Sequence, residues 1–211
     1  MKKSIKYSSW TLVVLLILFL SLDIRKLDEV KANSKAEVFS ATAYAHDFFE
    51  NLIPAEIAEA PEIMPLIEML QNEPQQAFEK YGKKLGISKT WYFLAKGEGV
   101  IESVEEENLR VNIDQRFQTR IATSFIFGNA VRDGSGAVDI DEFLNMTDFN
   151  NVSIEINNLI KNKVVSVLNK NSKPGMKLQF MGAFEIKEDD IDVQSIRIIP
   201  VSVKLSDGNT E

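Results

Sequence analysis

The chain has 211 residues, of which 45% are hydrophobic and 26% charged, so a folded domain with a sizeable core is expected and a disordered chain is excluded. Its formal net charge of -7 argues against binding to a phosphate backbone, because proteins that do so carry a basic stripe that this sequence lacks. No cysteine is present, which excludes disulfides, thiolate catalysis, cysteine-ligated zinc and lipid attachment to a cysteine within these residues.

Residues 1–32 are predicted to be an export signal or a membrane anchor. Three lysines precede an apolar run from Trp10 to Leu22, as in a secretion signal. With its flanking residues, segment 8–27 approaches the roughly 20 residues of a membrane-spanning helix. A small-x-small sequence ending at Ala32 offers a cleavage site, but the charged stretch before it is long for signal peptidase. We therefore favour a retained anchor on the periplasmic side of the bacterial inner membrane, with secretion after Ala32 as the alternative.

Helical periodicity and prolines predict a helical N-terminal part between residues 34 and 82. Ser34 can cap a first helix, in which Val38, Phe48 and Leu52 lie on one apolar face. Prolines then stand where a first helical turn accepts them, and they predict short helices around residues 61–71 and 74–81.

Strand-like patterns follow Thr90. Residues 91–101, 111–113 and 120–127 are rich in β-branched and aromatic residues and predict three strands. An amphipathic helix is predicted from about residue 149 to 171, with Thr147 or Asp148 as its cap. Alternation over residues 176–186 and 196–205 predicts two more strands, and Pro200 marks an edge or a bulge in the last one.

This order of elements predicts an α+β fold. We expect an N-terminal membrane-anchor helix, a helical N-terminal part and a small antiparallel β-barrel, with the long helix inserted before the last strands. A single extracytoplasmic domain is predicted over residues 33–205, followed by a disordered tail at 206–211.

The first candidate site is a calcium loop. With Gly136 at the sixth position of an EF-hand loop, Asp133, Ser135 and Glu142 fall on ligand positions three, five and twelve. The first position is then Val131, which offers no side-chain oxygen, and the preceding residues are strand-like. A glycine-rich turn is the favoured interpretation, and a calcium-binding module is an alternative function.

Catalytic groups are scarce in this sequence. The sole histidine, His46, lies beside Asp47 in the first predicted helix, where a surface or packing role is favoured. Asp133 or Glu98 could serve a hydrolase as an acid or base, given a paired carboxylate or a raised pKa. We expect a non-catalytic protein without a cofactor, and a carboxylate-dependent envelope hydrolase is the alternative.

The candidate ligand-binding residues are Arg132, Asp133 and Asn145. The first two directly follow a predicted strand, and Asn145 opens the helical region behind them. A guanidinium beside a carboxylate can hold a polar ligand in a fork or can pin a loop. Pinning is the favoured interpretation, and ligand binding is the second hypothesis.

An ordered set of short motifs carries a family likeness. The central pieces are Gly128-Asn129-Ala130-Val131-Arg132-Asp133, Phe143-Leu144-Asn145, Phe149, Val152 and Ile156-Asn157. Weaker pieces include Lys96-Gly97-Glu98-Gly99-Val100 and Ile199-Pro200-Val201. In these residues the chain resembles the predicted periplasmic lipoproteins known as domain of unknown function 2291, over nearly all of the sequence beyond residue 25.

The resemblance implies an envelope protein with an oligonucleotide/oligosaccharide-binding-like (OB-like) barrel plus helices, and it implies no reaction. Such proteins tend to be encoded beside sugar transporters of the ATP-binding-cassette type. The expected partner is thus a transporter component or a small polar ligand such as a sugar, and not nucleic acid. Two departures matter: no cysteine can be lipidated, so residues 8–27 must do any anchoring, and Met146 stands where the family tends to have glutamine.

Overall fold

The computed structural model describes residues 39–207. The chain divides between Phe39 and Ser40, and the unit that begins at Ser40 contains every element described below. The predicted anchor at 8–27, the cleavage position at Ala32, the cap at Ser34 and the last four residues of the predicted tail lie outside the described residues. Within the described residues, no helix is long and apolar enough to cross a bilayer.

The N-terminal part of the described chain is helical, as predicted. Its elements are α1 (Ala41–Asp47), a π-helical turn (Phe48–Leu52), α2 (Ile53–Glu59), α3 (Ile63–Asn72) and α4 (Pro74–Tyr81). The Ser40 hydroxyl caps α1 by accepting a hydrogen bond from the backbone N–H of Ala43 at 3.2 Å. Helices α3 and α4 match the two predicted short helices to within two residues.

Five strands close into a barrel in the order β1-β2-β3-β5-β4. They are β1 (Thr90–Val104), β2 (Asn108–Ile113), β3 (Phe117–Ala122), β4 (Lys177–Lys187) and β5 (Arg197–Ser206). The long strand β1 pairs with β4 through its first part and with β2 through its last part. The prediction of an antiparallel barrel needs one correction, because β3 and β5 run parallel where the barrel closes.

Helices connect β3 to β4. They are α5 (Ala130–Ser135), a 3-10 turn (Ile140–Glu142), α6 (Met146–Ile160), a π-helical turn (Lys161–Val165) and α7 (Ser166–Asn171). The long predicted helix corresponds to α6, the π-helical turn and α7. The predicted cap was wrong: Asn145 Oδ1 accepts the backbone N–H of Asp148 at 2.9 Å, so the helix begins one residue before Thr147.

The third strand ends earlier than predicted. Residues 123–129 form a loop, although Phe125, Ile126 and Phe127 are aromatic or β-branched, as is typical of a strand. Phe125 has φ +47°, a left-handed conformation that interrupts strand pairing. The side chains of Phe125 and Phe127 consequently stand in solvent.

The register shift predicted at Pro200 is a β-bulge. The pairing of β4 with β5 skips Val201, and Pro200 lies opposite Gly182. A Cβ on Gly182 would lie 2.5 Å from the carbonyl oxygen of Ile199. Glycine is therefore required at this close approach of the two strands.

Two hydrophobic cores hold the layers together. The first fills the barrel and extends to α3 and α4, and it contains the stacked rings of Phe93 and Phe184, whose centroids are 5.3 Å apart. The second lies between the helices α1, α5 and α6 and strands of the barrel, where Leu94 and Ala183 are buried. Residues 93–95 are buried on both sides of β1 for this reason.

Candidate functional site

A cleft of about 460 Å³ lies where β3 ends and β5 begins. Residues 125–130 of the loop after β3 form one wall, and the end of β4 with the β4–β5 connection forms the second. Arg197 and Ile199 of β5 complete the lining. We call it the loop cleft; its volume is in the usual range of small-molecule sites, about 300–1,000 Å³.

Side chains from three elements hold the loop after β3, residues 123–129, in place. Each donates a hydrogen bond to a loop carbonyl. The pairs are Asn169 Nδ2 to Thr123 O (3.2 Å), Arg197 Nη2 to Ser124 O (2.5 Å) and Asn157 Nδ2 to Gly128 O (2.9 Å). Because the donors belong to α7, β5 and α6, the loop is clamped at both ends before any ligand arrives.

Two aromatic rings stand between these clamps. Phe125 is 61% exposed and Phe127 is 69% exposed, so neither ring gains the stabilisation of full burial. The left-handed backbone of Phe125 costs about 1–3 kcal/mol in addition. A clamped loop that keeps two rings in water at such a cost is typical of a binding surface.

The second wall is tied to the start of β1. The backbone N–H of Glu188 donates to Lys89 O at 2.8 Å, and the Glu188 carboxylate accepts from Trp91 Nε1 at 3.1 Å. Lys89 also donates to the Asp189 carboxylate at 2.9 Å. That hydrogen bond lowers the pKa of Asp189 and raises the pKa of Lys89.

The polar lining of the loop cleft carries both signs of charge. Carboxylates come from Glu185, Asp190 and Asp192, and cations from Lys187 and Arg197. The carboxylates can accept hydrogen bonds from ligand hydroxyls, and the guanidinium can donate several.

Arg197 is the best-placed donor of the cleft. Its Nε donates to Asn108 Oδ1 at 2.6 Å, and its Nη2 holds the loop at Ser124. Among the described residues, none accepts a hydrogen bond from Nη1. Burial lowers the pKa of the guanidinium, although it stays protonated at neutral pH.

The predicted ligand-binding residues lie elsewhere. Arg132 is 1% exposed; its Nε donates to Asp133 Oδ1 at 2.7 Å and its Nη1 to Phe149 O at 2.9 Å. The guanidinium carbon also lies 3.5 Å from the centroid of the Phe149 ring. Asn145 caps α6 and donates to Asp148 Oδ2 at 2.8 Å. The contacts of Arg132 pin α5 to α6, and ligand binding by these three residues stays a prediction.

The candidate calcium ligands each engage another protein group. Asp133 pairs with Arg132, the Ser135 hydroxyl donates to the carbonyl of Arg132 at 2.7 Å, and Glu142 accepts from the Tyr44 hydroxyl at 2.7 Å. Residues 130–135 are helical, where the sequence predicted a turn. Over residues 39–207, no group of three or more His, Cys, Asp or Glu side chains is placed to hold a metal ion.

The candidate hydrolase residues do not share the loop cleft. Glu98, on β1, accepts from Gln179 Nε2 of β4 at 2.7 Å and lines two other depressions of the barrel surface. Asp133 is held by Arg132, and its side chain is 8% exposed. His46 is exposed on α1.

Comparison with known proteins places the chain in a family. The model of the family described as "predicted periplasmic lipoprotein (DUF2291)" matches residues 12–204. The chain belongs to this family. The resemblance recognised in the motifs is thereby confirmed, and the family description agrees with a periplasmic location. No functionally curated protein matches the sequence.

The fold has a counterpart among solved structures. A crystal structure of an OB-fold protein from Thermotoga maritima matches with a TM-score of 0.71 and 22% identity, covering 80% of this chain and 99% of that chain. At this identity the likeness shows the fold alone. The predicted OB-like barrel is confirmed as a closed five-stranded barrel with added helices.

The sequence does not predict the loop cleft. Its pattern assigns Phe125 and Phe127 to a strand, and no motif marks Glu185 or Arg197. One signal was available: Gly128-Asn129 directly follows the two aromatic residues and is typical of a turn. The expected transporter partner and the anchor at 8–27 have no test in the described residues and stay predictions.

Proposed function

We propose that this protein is a non-catalytic binding module, tethered on the periplasmic side of the membrane, whose loop cleft takes a small polar ligand of the sugar class. The single observation that carries the proposal is the pair of exposed rings, Phe125 and Phe127, on a loop clamped beside charged groups. The clamps and the tied second wall mean that little ordering is needed on binding.

A sugar suits this combination of surfaces. A pyranose ring has an apolar C–H face that can pack on an aromatic ring, and its hydroxyl groups both donate and accept hydrogen bonds. In the loop cleft, Phe125 and Phe127 supply the rings, Glu185 supplies acceptors and the Arg197 guanidinium supplies donors. OB-folds use their loops for oligosaccharides as well as for oligonucleotides.

The charges of the cleft disfavour a nucleic acid. Binding to a single strand combines stacking rings with a positively charged groove. Three carboxylates and two cations line the loop cleft, and the whole chain has a net charge of -7. The aromatic rings are therefore matched to a ligand without a phosphate backbone.

A thermal-shift panel of pentoses, hexoses, disaccharides and sugar acids tests the proposal. A sugar that binds in the cleft, present at 100 times its dissociation constant, should stabilise the protein by about 2.7 kcal/mol. For a domain of this size, that corresponds to a rise in Tm of about 5–11 °C. Calorimetry on the responding sugar then gives the affinity.

Two matched variants locate the site. Phe127→Ala should weaken binding about tenfold and leave the Tm of the free protein nearly unchanged, because the ring is mostly exposed. Ile87→Ala removes a fully exposed apolar side chain outside the cleft, and this variant should bind as the wild type does. If no sugar shifts the Tm, or if both variants bind equally well, the sugar proposal is wrong.

Recovery of the ligand separates binding from hydrolysis. After prolonged incubation, a bound disaccharide should be recovered intact by chromatography. Cleavage that disappears in Glu185→Gln would instead support a carboxylate-dependent hydrolase, since Glu185 is a carboxylate of the cleft.

Fractionation tests the tether. We expect the full-length protein to stay in the membrane fraction after carbonate washing and to retain its N-terminal residues by mass spectrometry. A soluble form beginning at residue 33 would show cleavage after Ala32 and contradict the retained anchor.

A further inference from the structure

We propose a second surface, independent of the loop cleft: the start of α6 is a docking site for a polypeptide segment that carries Lys or Arg next to apolar side chains. Three exposed apolar side chains, Leu144, Met146 and Ile154, form what we call the α6 stripe. Acidic residues surround its first part, and no described cation neutralises them.

The α6 stripe has no role in the fold. Leu144 is 95% exposed, Ile154 is 55% exposed and Met146 is 51% exposed. Met146 and Ile154 are eight residues apart on α6, about two turns, and such positions belong to the same side of an amphipathic helix. Side chains this exposed add little to folding stability, and they offer apolar area that a partner can cover.

The backbone that presents the stripe is fixed. Asn145 caps α6 between Leu144 and Met146, accepting the backbone N–H of Asp148 at 2.9 Å. On the other side of Leu144, the ring of Phe143 packs against the rings of Tyr44 and Phe149, with both centroid distances 5.3 Å. A partner would meet a surface that needs no rearrangement.

The charged side chains around the α6 stripe are carboxylates. Asp139, Asp141 and Glu142 are exposed in the segment just before it, and Asp47 is exposed on α1. Among the described residues, none of these four carboxylates forms an ion pair.

The chain segments that carry these carboxylates contain no lysine or arginine, although Lys83 lies beside Gly136, just before the acidic segment. No Lys or Arg occurs between Arg132 and Lys161, and none occurs between Phe39 and Lys80. Helices α1 and α6 pack on each other within the second core, which brings these two cation-free stretches together.

Charge complementarity selects the occupant. An anionic lipid surface or a nucleic acid would be repelled by these carboxylates. A polypeptide with Lys or Arg beside apolar residues would supply the missing countercharges and cover the stripe. The apolar side chains would give affinity, and the carboxylates would give orientation and a fast encounter.

Site-specific photo-crosslinking of the full chain in its native host is the first test. Benzophenone-bearing residues replace Leu144 in one strain and Ile87, which is equally exposed and lies in another loop, in the control strain. We expect adducts at position 144 alone, joined to a protein segment in which Lys or Arg alternates with apolar residues. Adducts to lipid, to a second copy of this chain or to an acidic segment, or none beyond the control, would overturn the proposal.

A binding assay gives the energetics. The probe is a synthetic amphipathic helix of leucine and lysine, compared with the same helix containing glutamate in place of lysine. The lysine probe should bind, and Leu144→Ala with Met146→Ala should weaken it about tenfold or more, while Ile87→Ala changes nothing. Binding that is equal for all variants, or equal for both probes, would also refute the site.

Discussion

Arg132→Met tests whether the family motif is a structural pin. The substitution keeps an unbranched side chain that can fill the buried space and removes the guanidinium. In the wild type that group contacts Asp133 at 2.7 Å, the Phe149 carbonyl at 2.9 Å and the Phe149 ring, and it is 1% exposed. In the variant, the nearly buried carboxylate of Asp133 loses its ion-pair partner.

The size of the effect follows from these contacts. Removing one partner of a buried ion pair costs about 3–5 kcal/mol, chiefly because the other charge stays buried. The cation–π contact adds about 2 kcal/mol, and the packing of methionine offsets part of the loss. We therefore expect a free energy of unfolding lower by about 3–5 kcal/mol, which corresponds to a fall in Tm of about 6–20 °C.

Urea denaturation of a double-mutant cycle measures this quantity. Asp133→Asn should also destabilise the protein, and the double variant should be more stable than the sum of the single losses predicts, by about 0.5–3 kcal/mol. A loss below about 0.5 kcal/mol in Arg132→Met would refute the buried pin. Unchanged stability with loss of a ligand would show instead that Arg132 binds that ligand.

Three further predictions concern other parts of the fold. Gly182→Ala should destabilise the barrel by about 1–3 kcal/mol in urea denaturation, because the new Cβ meets the Ile199 carbonyl at 2.5 Å. Asn157→Ala removes the hydrogen bond to Gly128 O. Although Asn157 does not line the cleft, the variant should bind the responding sugar more weakly, as measured by calorimetry. Burial raises the pKa of Tyr44, so the unfolded chain ionises first above about pH 10 and the wild type loses stability there. Tyr44→Phe should lose stability less steeply as the pH is raised through that region, and an equal slope would contradict the assigned environment.

The elements that were predicted correctly are those in which local pattern and burial agree. In β4, Leu178, Phe180 and Phe184 are buried while Gln179 and Glu185 are exposed, so the sequence alternation reports the two faces directly. The position of Pro200 likewise indicated the bulge, because proline cannot donate to a ladder. These features depend on neighbouring residues alone.

The loop cleft could not be predicted by the same reasoning. Ser124-Phe125-Ile126-Phe127 is rich in aromatic and β-branched residues, as strands are, and only tertiary contacts make it a loop. The donors that hold it, Asn157, Asn169 and Arg197, are between 29 and 73 residues away from the carbonyls they bind. No local propensity encodes such contacts.

The candidate polar residues were recognised in part. The adjacency of Arg132 and Asp133 correctly indicated an ion pair, but its burial under the Phe149 ring depends on how α5 meets α6. The cap of α6 was misplaced because Thr147 and Asp148 are also good capping residues. Asn145 is the residue that caps α6 because the ring contacts of Phe143 fix the backbone just before the helix.

The family motif and the loop cleft are connected through α6. Arg132 joins α5 to α6 through Phe149, and about two turns further along α6, Asn157 holds the loop at Gly128. The motif therefore fixes the position of the loop, while the rings and charges that a ligand would meet lie outside it. It follows that substitutions in the motif should change affinity together with stability. Substitutions of Phe125 or Phe127 should change affinity alone, and this difference distinguishes a positioning residue from a contact residue.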